Sequence, residues 1–144
     1  SQTVVDTMTL PDDALARKSI PLCSGFLDYF PNAIVAVAAL SAKGNSQHNP
    51  GTPLHWDRDK SGDEADALIR HLLQRGSTDT DGVLHSAKVA WRAMALLEKE
   101  LEAAGAPRAR GATKPNAELI LQARIDLQDE DAATESLKAG EAHA

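Results

Sequence analysis

The stretch QHNPGTPLHWDRDKSGDEADALIRHLLQRGSTDTDGVLHSAKVAW, from Gln47 to Trp91, decides the fold and carries most of the chemically active residues. It contains four of the five histidines, both tryptophans and two strong turn signals, Asn49-Pro50-Gly51 and Asp81-Gly82. Loops that carry histidine, tryptophan and charged residues between helices are common positions for binding chemistry. The stretch therefore predicts where a functional site lies more firmly than what that site does.

The residues before this stretch predict a buried first helix. Proline is favoured at the first helical position, so the helix is expected to begin near Pro31. From Asn32 to Lys43 apolar residues occupy much of the helix circumference, which indicates burial on more than one side. Gly44-Asn45 is expected to stop the helix, and 45–60, with its prolines, is expected to form an irregular functional loop.

Two further helices are predicted inside the stretch. Ser61-Gly62-Asp63-Glu64 has the spacing of a capping box, in which Ser61 caps the Glu64 amide and the Glu64 carboxylate bonds back. Apolar residues at helical spacing continue to Gly76, which is expected to end this second helix. The third helix is expected to run from about Leu84 to Ala104, with small alanines that allow close approach of its neighbours.

The composition favours a single all-α domain. The chain has 144 residues, of which only 3% are aromatic, and its apolar content depends on alanine, leucine and valine. This profile suits packed helices better than a sheet sandwich. We expect an arm at 1–18, a compact bundle of three main helices at 19–104, and at 105–144 a linker and tail with a short helix at 117–127. Such helices bury little surface alone, so a homo-oligomer is expected.

Charge and cysteine content exclude several classes of protein. The net charge of −6 argues against binding of duplex nucleic acid, which needs a basic face. Cys23 is the only cysteine, which excludes an internal disulfide framework. The first residues lack the pattern of a signal peptide, and no apolar stretch approaches the roughly 20 residues that span a bilayer. We therefore expect a cytoplasmic protein with no membrane partner.

An acidic loop before the third helix is a candidate metal site. Asp79 or Asp81, together with His85, has the donor types for a Mg²⁺ or Mn²⁺ ion. In the alternative, one aspartate caps the third helix and the other shapes the turn.

The second and third helices each carry polar residues at a spacing that brings them to one face. If the two faces meet, imidazoles, cations and carboxylates share a cleft. The alternative for the arginines, which we favour, is a solvated surface. The histidines are either functional or buried and hydrogen-bonded, and the pattern leaves both open. The residues concerned are Glu64, His71 and Arg75 on the second helix, and His85, Lys88 and Arg92 on the third.

The loop from His55 to Lys60 places Trp56 among basic groups. A tryptophan ring can stack on a nucleobase while lysine pairs with phosphate, and His48 and Asn49 are near in the sequence. In the alternative, Trp56 fills a gap in the core and the loop charges face water.

No P-loop, G-x-G-x-x-G, zinc-ligand spacing or H-E-x-x-H is present in the sequence. If the protein is an enzyme, the absence of these motifs leaves metal–carboxylate or acid–base chemistry as its mechanism.

Several short segments follow one another in a specific order between about Arg17 and Glu100. They are LDYFPNA (27–33), KGN (43–45), QHNPG (47–51), LHW (54–56), RHL (70–72), DTDG (79–82) and HSAKVAWR (85–92). This order resembles the phage family of dATP/dGTP diphosphohydrolase N-terminal domains. It is similar in outline to the all-α, MazG-like nucleoside triphosphate pyrophosphohydrolases. The tail beyond about residue 103 is not covered.

The resemblance implies hydrolysis of purine deoxynucleoside triphosphates to monophosphate and pyrophosphate, a phage nucleotide-pool role and a homo-oligomer. On this hypothesis, Trp56 stacks on the base, with His48, Asn49 and His55 nearby. The phosphate contacts are then assigned to Lys60, Arg70 and Lys88. The remaining roles, proton transfer and binding of Mg²⁺ or Mn²⁺, are assigned to His71, His85, Asp79 and Asp81.

One departure from the wider group supports a different class of function. Its metal-dependent members carry E-x-x-E on one helix and E-x-x-D on the next, whereas 32–43 contains no carboxylate. The alternative is a non-catalytic phage protein that sequesters a nucleotide or a cyclic-nucleotide defence signal. Such a protein needs the stacking ring and the cations but no metal site. A third interpretation is an interaction protein whose polar loops and acidic tail contact protein partners.

Overall fold

The computed structural model describes residues 10–109, 111 and 117–143, and this part of the chain is all-α, as predicted. The only β-type pairing in the described part of the chain is an isolated antiparallel bridge between Thr78 and Leu84. A π-helical turn, Cys23–Leu27, precedes the main helices. In chain order the helices are α1 (Ala14–Lys18), α2 (Pro31–His48), α3 (Glu64–Leu73), α4 (His85–Ala103) and α5 (Ala117–His143).

Helix α2 begins at Pro31 as predicted, but its expected burial on more than one side is wrong, since none of its residues is buried. The expected stop at Gly44-Asn45 is also wrong. The helix continues to His48, and the Asn45 carbonyl accepts a hydrogen bond from the Asn49 amide at 2.8 Å. A glycine inside a helix costs only about 1 kcal/mol relative to alanine, which neighbouring helical bonds can offset. Pro50 has no N–H to continue the ladder, and Gly51 turns the chain with φ of 77°. The proline therefore ends the helix.

The predicted capping box at the start of α3 is also wrong. Asp63 precedes the helix and makes no capping bond to it. The Ser61 hydroxyl donates to the Asp63 carboxylate at 2.8 Å, and the Glu64 carboxylate accepts from Lys99 on α4 at 2.8 Å. Glu64 is only 5% exposed. A contact between helices has thus replaced the local contact that the spacing predicts.

Helices α3 and α4 pack against each other in antiparallel fashion, and α4 also packs against α2. The Glu64–Lys99 ion pair joins the start of α3 to the end of α4, while His71 meets His85 at the opposite end. The limits of α4 lie within one residue of those predicted. The end of α3 does not, because Leu73 is its last residue and Gly76 belongs to the turn that follows.

The interior of the described chain is built from small side chains. Its buried hydrophobic residues are Ala67, Ala87 and Ala95, and no large side chain among the described residues is less than 2% exposed. Large apolar side chains instead remain on the surface, with Val35 at 68% and Leu73 at 76% exposure. Alanines let the helix axes approach closely, but they bury little area, so one chain leaves several apolar faces uncovered.

Each of the two regions outside the bundle contains a helix, α1 in the N-terminal arm and α5 in the tail. The predicted short helix at 117–127 is longer than expected, because α5 extends to His143. In the N-terminal arm, Asp13 caps α1 by accepting from the Ala16 amide at 3.0 Å. No single described helix is long and apolar enough to cross a membrane. The segments Ala14–Leu27 and Pro31–His48, which meet at an angle of 86°, together have the length and apolar composition of a membrane span.

Candidate functional site

A cleft of about 490 Å³ lies between α2, α4 and the loops at either end of α3. It brings together most of the residues singled out in the sequence, although they are spread over 41 positions from His48 to Lys88. His85 is 4% exposed and contacts the cleft residue His71, and Arg70 is not among the lining residues. The predicted residues that line the cleft are His48, Asn49, His55, Trp56, Lys60, His71, Asp79, Asp81 and Lys88.

The turn between α3 and α4 builds one end of the cleft. Gly76 and Gly82 adopt φ of 84° and 80°, a region that residues with a Cβ rarely occupy. Between them, the Asp79 amide donates to the Val83 carbonyl at 2.8 Å, and the His85 amide donates to the Ser77 carbonyl at 3.0 Å. These bonds hold the start of α4 beside the last turn of α3.

His71 and His85 consequently meet with their Nδ1 atoms 2.9 Å apart and their rings tilted by 35°. A hydrogen bond at this distance requires that one of the two nitrogens carries a proton and that the other accepts it. Burial, followed by electrostatic interaction with the neighbouring His85 and Lys88, lowers the pKa of His71 below its ordinary value of 6.5. His71 is therefore neutral at pH 7 and can accept a proton or ligate a cation.

Asp79 and Asp81 face the same cation. The Lys88 ammonium donates to Asp79 Oδ2 at 2.7 Å and to Asp81 Oδ2 at 2.8 Å. The bond from Lys88, followed by one from the Thr80 amide, lowers the pKa of the Asp79 carboxyl to about 2. The bond from Lys88 likewise lowers the pKa of Asp81. Both carboxyls are therefore charged at neutral pH.

The alternative roles of the two aspartates are only half correct. Leu84 precedes α4 and no side chain caps it, so capping by an aspartate is wrong. Shaping of the turn is confirmed, because Asp79 accepts from the Thr80 amide at 2.7 Å and Asp81 from the Val83 amide at 3.0 Å. The turn thus positions both carboxylates while they bind Lys88.

The histidine end of the cleft has the donors for a metal ion. A ring nitrogen of His71, a ring nitrogen of His85 and a carboxylate oxygen of Asp79 lie within 4.8 Å of one another. Two imidazoles and one carboxylate form a donor set that divalent ions use in proteins. Asp81 lies outside this group. Its carboxylate is held by Lys88, and its backbone carbonyl accepts a hydrogen bond from Lys43.

The opposite end of the cleft is aromatic. Trp56 and Trp91 make an edge-to-face contact with ring centroids 6.4 Å apart. The Arg58 guanidinium lies 4.8 Å and the Lys99 ammonium 5.8 Å from the centroid of the Trp56 ring. Each contact is worth about 0.5–1 kcal/mol at a partly exposed site. Trp56 is therefore both a wall of the cleft and a packing centre, which combines the two alternatives derived from the sequence.

The cations of the cleft differ in how their charge is compensated. Lys60 donates to the Asn49 side-chain oxygen at 3.2 Å, and Arg92 donates to the Ser61 hydroxyl at 2.7 Å. Both acceptors are neutral, so neither cation forms a direct ion pair with a carboxylate in the described part of the chain, although Asp63 lies close enough to Arg92 to feel its charge. Arg70 instead pairs with Asp63 at 2.8 Å on the exposed side of α3, because it is rotated about 100° from its neighbour His71.

Several lining residues, among them Glu64, Trp91 and Arg92, were not assigned to the site from the sequence. We expected Arg92 to face solvent, which is wrong, and we assigned Glu64 to a cap, although both line the cleft. Their spacing from the histidines carried the signal, since Glu64 precedes His71 by seven residues and Arg92 follows His85 by seven. Residues seven apart lie on the same face of a helix, so the histidines mark the faces that meet.

Comparisons with known proteins identify the family. The family described as "dATP/dGTP diphosphohydrolase, N-terminal" matches residues 16–109. No curated protein and no solved structure matches the chain. The matched region contains every predicted site residue, because all of them lie between His48 and Lys88. Because it covers more than half of the sequence, the chain belongs to the dATP/dGTP diphosphohydrolase N-terminal family.

Proposed function

We propose that the protein binds a purine nucleotide in the cleft and hydrolyses dATP or dGTP to the monophosphate and pyrophosphate. The observation that carries this proposal is the gathering of three groups in one cleft. These groups are an aromatic pair, cations bonded to neutral acceptors, and a cluster of imidazoles and carboxylates. The family name supplies the substrate class.

The aromatic end is proposed to take the base. Trp56 and Trp91 offer ring surface, and stacking on a tryptophan is worth about 1–3 kcal/mol per base. The side chains of His48, Asn49 and His55 also line the cleft and carry donors and acceptors that suit the edge of a purine. The base would then lie beside the loop that follows α2.

The phosphates are proposed to extend from that loop toward the histidines. Lys60 and Arg92 donate to neutral acceptors, and the planar guanidinium of Arg92 suits bidentate contact with phosphate. Lys88 joins them when the substrate reaches the acidic turn. Water would attack the α-phosphorus and lose its proton, while the phosphoanhydride oxygen leaves with pyrophosphate. His71, which is neutral at pH 7, would take part either as the acceptor of that proton or as a ligand of the metal ion that activates the water.

Mg²⁺ or Mn²⁺ is proposed as the cofactor, with ligands from the acidic turn. Such an ion supplies charge neutralisation for the phosphates and polarises the attacked phosphorus. Asp79 is the best placed carboxylate, since it lies next to both histidines. Asp81 supports it by holding Lys88.

We also propose that the protein acts as a homo-oligomer. The uncovered apolar side chains on α2, α3 and α4, such as Val35, Leu73 and Leu97, support association of copies. A nucleotide-pool role would place the protein in the cytoplasm, of a host cell if the gene is phage-borne.

The test is to incubate the full chain with a mixture of deoxynucleoside triphosphates and cyclic nucleotides, with Mn²⁺ or with chelator. Mass spectrometry follows what is consumed and what remains bound. We expect metal-dependent loss of dATP or dGTP with matching gain of the monophosphate and pyrophosphate. Arg92→Gln should weaken substrate use, whereas Arg70→Gln, on the exposed side of α3, should not. Stable triphosphates in the presence of Mn²⁺ would contradict hydrolysis.

A second candidate function is sequestration of a nucleotide without turnover. It is favoured by α2, which spans Pro31–His48 and contains no aspartate or glutamate. The same incubation separates the two candidates, because an intact nucleotide retained in chelator would indicate binding without hydrolysis.

A further inference from the structure

We propose that His71, Asp79 and His85 together bind one divalent transition-metal ion, such as Mn²⁺ or Co²⁺, in preference to Mg²⁺. We further propose that Asp79 exchanges the Lys88 ammonium for this ion. The inference deepens the proposed function, on which its catalytic role rests, by naming the ligand set, the class of metal and the displaced group.

The spacing of the donor atoms is compatible with one shared ion. The three donor atoms lie within 4.8 Å of one another, and the two Nδ1 atoms are 2.9 Å apart. Two nitrogens that each lie about 2.1 Å from an ion, at roughly a right angle, are about 3 Å apart. The two imidazoles are therefore already spaced as neighbouring ligands of one ion, with loss of the proton that they share.

The backbone holds the three donors in place from different elements. His71 lies in the last turn of α3, His85 is the first residue of α4, and Asp79 lies in the turn between them. That turn is closed by the Asp79–Val83 and Ser77–His85 backbone bonds. Donors fixed by rigid elements lose little conformational freedom when they bind an ion.

The donor types select the class of metal. Mg²⁺ prefers oxygen ligands in near-ideal octahedral geometry and retains several waters. Imidazole suits later divalent ions of the first transition row, and affinity for a nitrogen site rises from Mn²⁺ toward Cu²⁺. Two of the three donors here are imidazoles, so the site favours a transition metal.

Lys88 occupies the carboxylate that the ion needs. Its ammonium lies 2.7 Å from Asp79 Oδ2, and it also lies 2.8 Å from Asp81 Oδ2. An ion bound at Asp79 would repel this ammonium, because both are cations on one carboxylate. Asp81 can retain Lys88 after the exchange, and the side chain then has donors free to contact a phosphate in the cleft.

The inference is tested by metal binding without nucleotide, so its failure is distinct from failure of hydrolysis. The full chain is stripped with chelator, and Mn²⁺ is added alone while the electron paramagnetic resonance signal of free Mn²⁺ is recorded. We expect one ion per chain, which an excess of Mg²⁺ does not release. Added Co²⁺ should give visible absorption bands typical of nitrogen ligation. Absence of bound Mn²⁺, or release of it by Mg²⁺, would overturn the metal assignment.

Matched variants test the ligands and the exchange separately. His71→Gln and Asp79→Asn should weaken Mn²⁺ binding by more than about 10-fold, the effect seen even for residues that only orient a ligand. Asp66→Asn, an exposed change on the helix that carries His71, should not. The buried His85 is left unchanged, since its replacement would also affect folding.

Lys88→Met should tighten Mn²⁺ binding, because the competing ammonium is gone, whereas Lys43→Met should leave it unchanged. Lys43 is the control since it contacts only the backbone carbonyl of Asp81 in this turn. Unchanged or weaker binding by Lys88→Met would overturn the exchange, and wild-type binding by His71→Gln would overturn the ligand set. An intact metal site in a chain that leaves dATP and dGTP unchanged would contradict the proposed hydrolysis alone.

Discussion

At the scale of single residues, Lys88 explains the electrostatics of the acidic turn. Its ammonium is within 2.8 Å of both carboxylates, while each of the three side chains is less than one-third exposed. Charge-assisted bonds of this kind are roughly twice as strong as neutral ones. The turn is therefore held by a cation that belongs to the chain itself.

Replacing this lysine should change the titration of its partner. Asp79 has a pKa of about 2, below its ordinary 3.8, so its charge stabilises the folded state above pH 3.8 and this contribution is lost as the pH falls toward 2. In Lys88→Met the pKa of Asp79 should rise toward 3.8, and acid unfolding should begin at higher pH. Carboxyl ¹³C NMR measures the first effect and circular dichroism the second. A pKa of Asp79 that is the same in both proteins would contradict this account.

Trp56 should contribute to nucleotide binding through its ring. Trp56→Leu should weaken binding by about 1–3 kcal/mol, the value of base–aromatic stacking. Arg58→Met is the matched control, because it removes the cation from the same ring and leaves the ring in place. Isothermal titration calorimetry at constant salt compares the variants, and circular dichroism checks their folding. Equal affinity of Trp56→Leu and the wild type would remove Trp56 from the base site.

At the scale of elements, the α3–α4 pair is joined at both ends by polar side chains across an alanine-lined contact. Glu64 and Lys99 join one end, with Glu64 buried and Lys99 about one-quarter exposed. The histidines join the other end. This arrangement sets the register of the two helices, and with it the geometry of the cleft.

Lys99→Met should destabilise the protein by about 1–3 kcal/mol, because it leaves a buried carboxylate without its charged partner. Glu64→Gln in the same chain should recover part of that loss, since the uncompensated charge is then removed. Urea unfolding of the two single variants and the double variant measures the coupling. Strictly additive effects would indicate that the pair does not stabilise the helix contact.

At the scale of the whole molecule, most large apolar side chains of the described chain lie on the surface rather than in the core. The buried hydrophobic residues of the described chain are alanines, and Met94 and Leu97 on α4 are 55% and 50% exposed. Burial of a large aliphatic side chain is worth about 1.5–3 kcal/mol, so a partner copy would stabilise this fold substantially.

We therefore expect an oligomer at micromolar concentration, in which Met94→Lys weakens association and lowers thermal stability. Ala103→Lys adds the same charge to the exposed end of α4 and should change neither property. Sedimentation velocity over a range of concentrations measures both proteins. A wild-type chain that is monomeric at high concentration would contradict the expected association.

Particular residues mark the limit of prediction from sequence. The spacing of Ser61 and Glu64 satisfies a capping box, yet Lys99, 35 positions beyond Glu64, takes the carboxylate. Gly44 is a plausible helix stop, yet the helix continues through it to His48, two residues before Pro50, which lacks a backbone N–H. In both cases the local pattern describes a real preference of the chain. A stronger or more distant contact in the fold decided the observed structure instead.

The sequence by itself determined the all-α class, the three main helices, the limits of α4 and the family, because helical periodicity, proline positions and motif order are local properties of the chain. Only the tertiary structure decided which polar residues share the cleft, that Lys88 binds both aspartates, that Arg70 lies outside, and that Glu64 and Arg92 lie inside. Those pairings depend on the rotation and register of helices distant in sequence. They are set by alanine packing and buried charge, which no local pattern encodes.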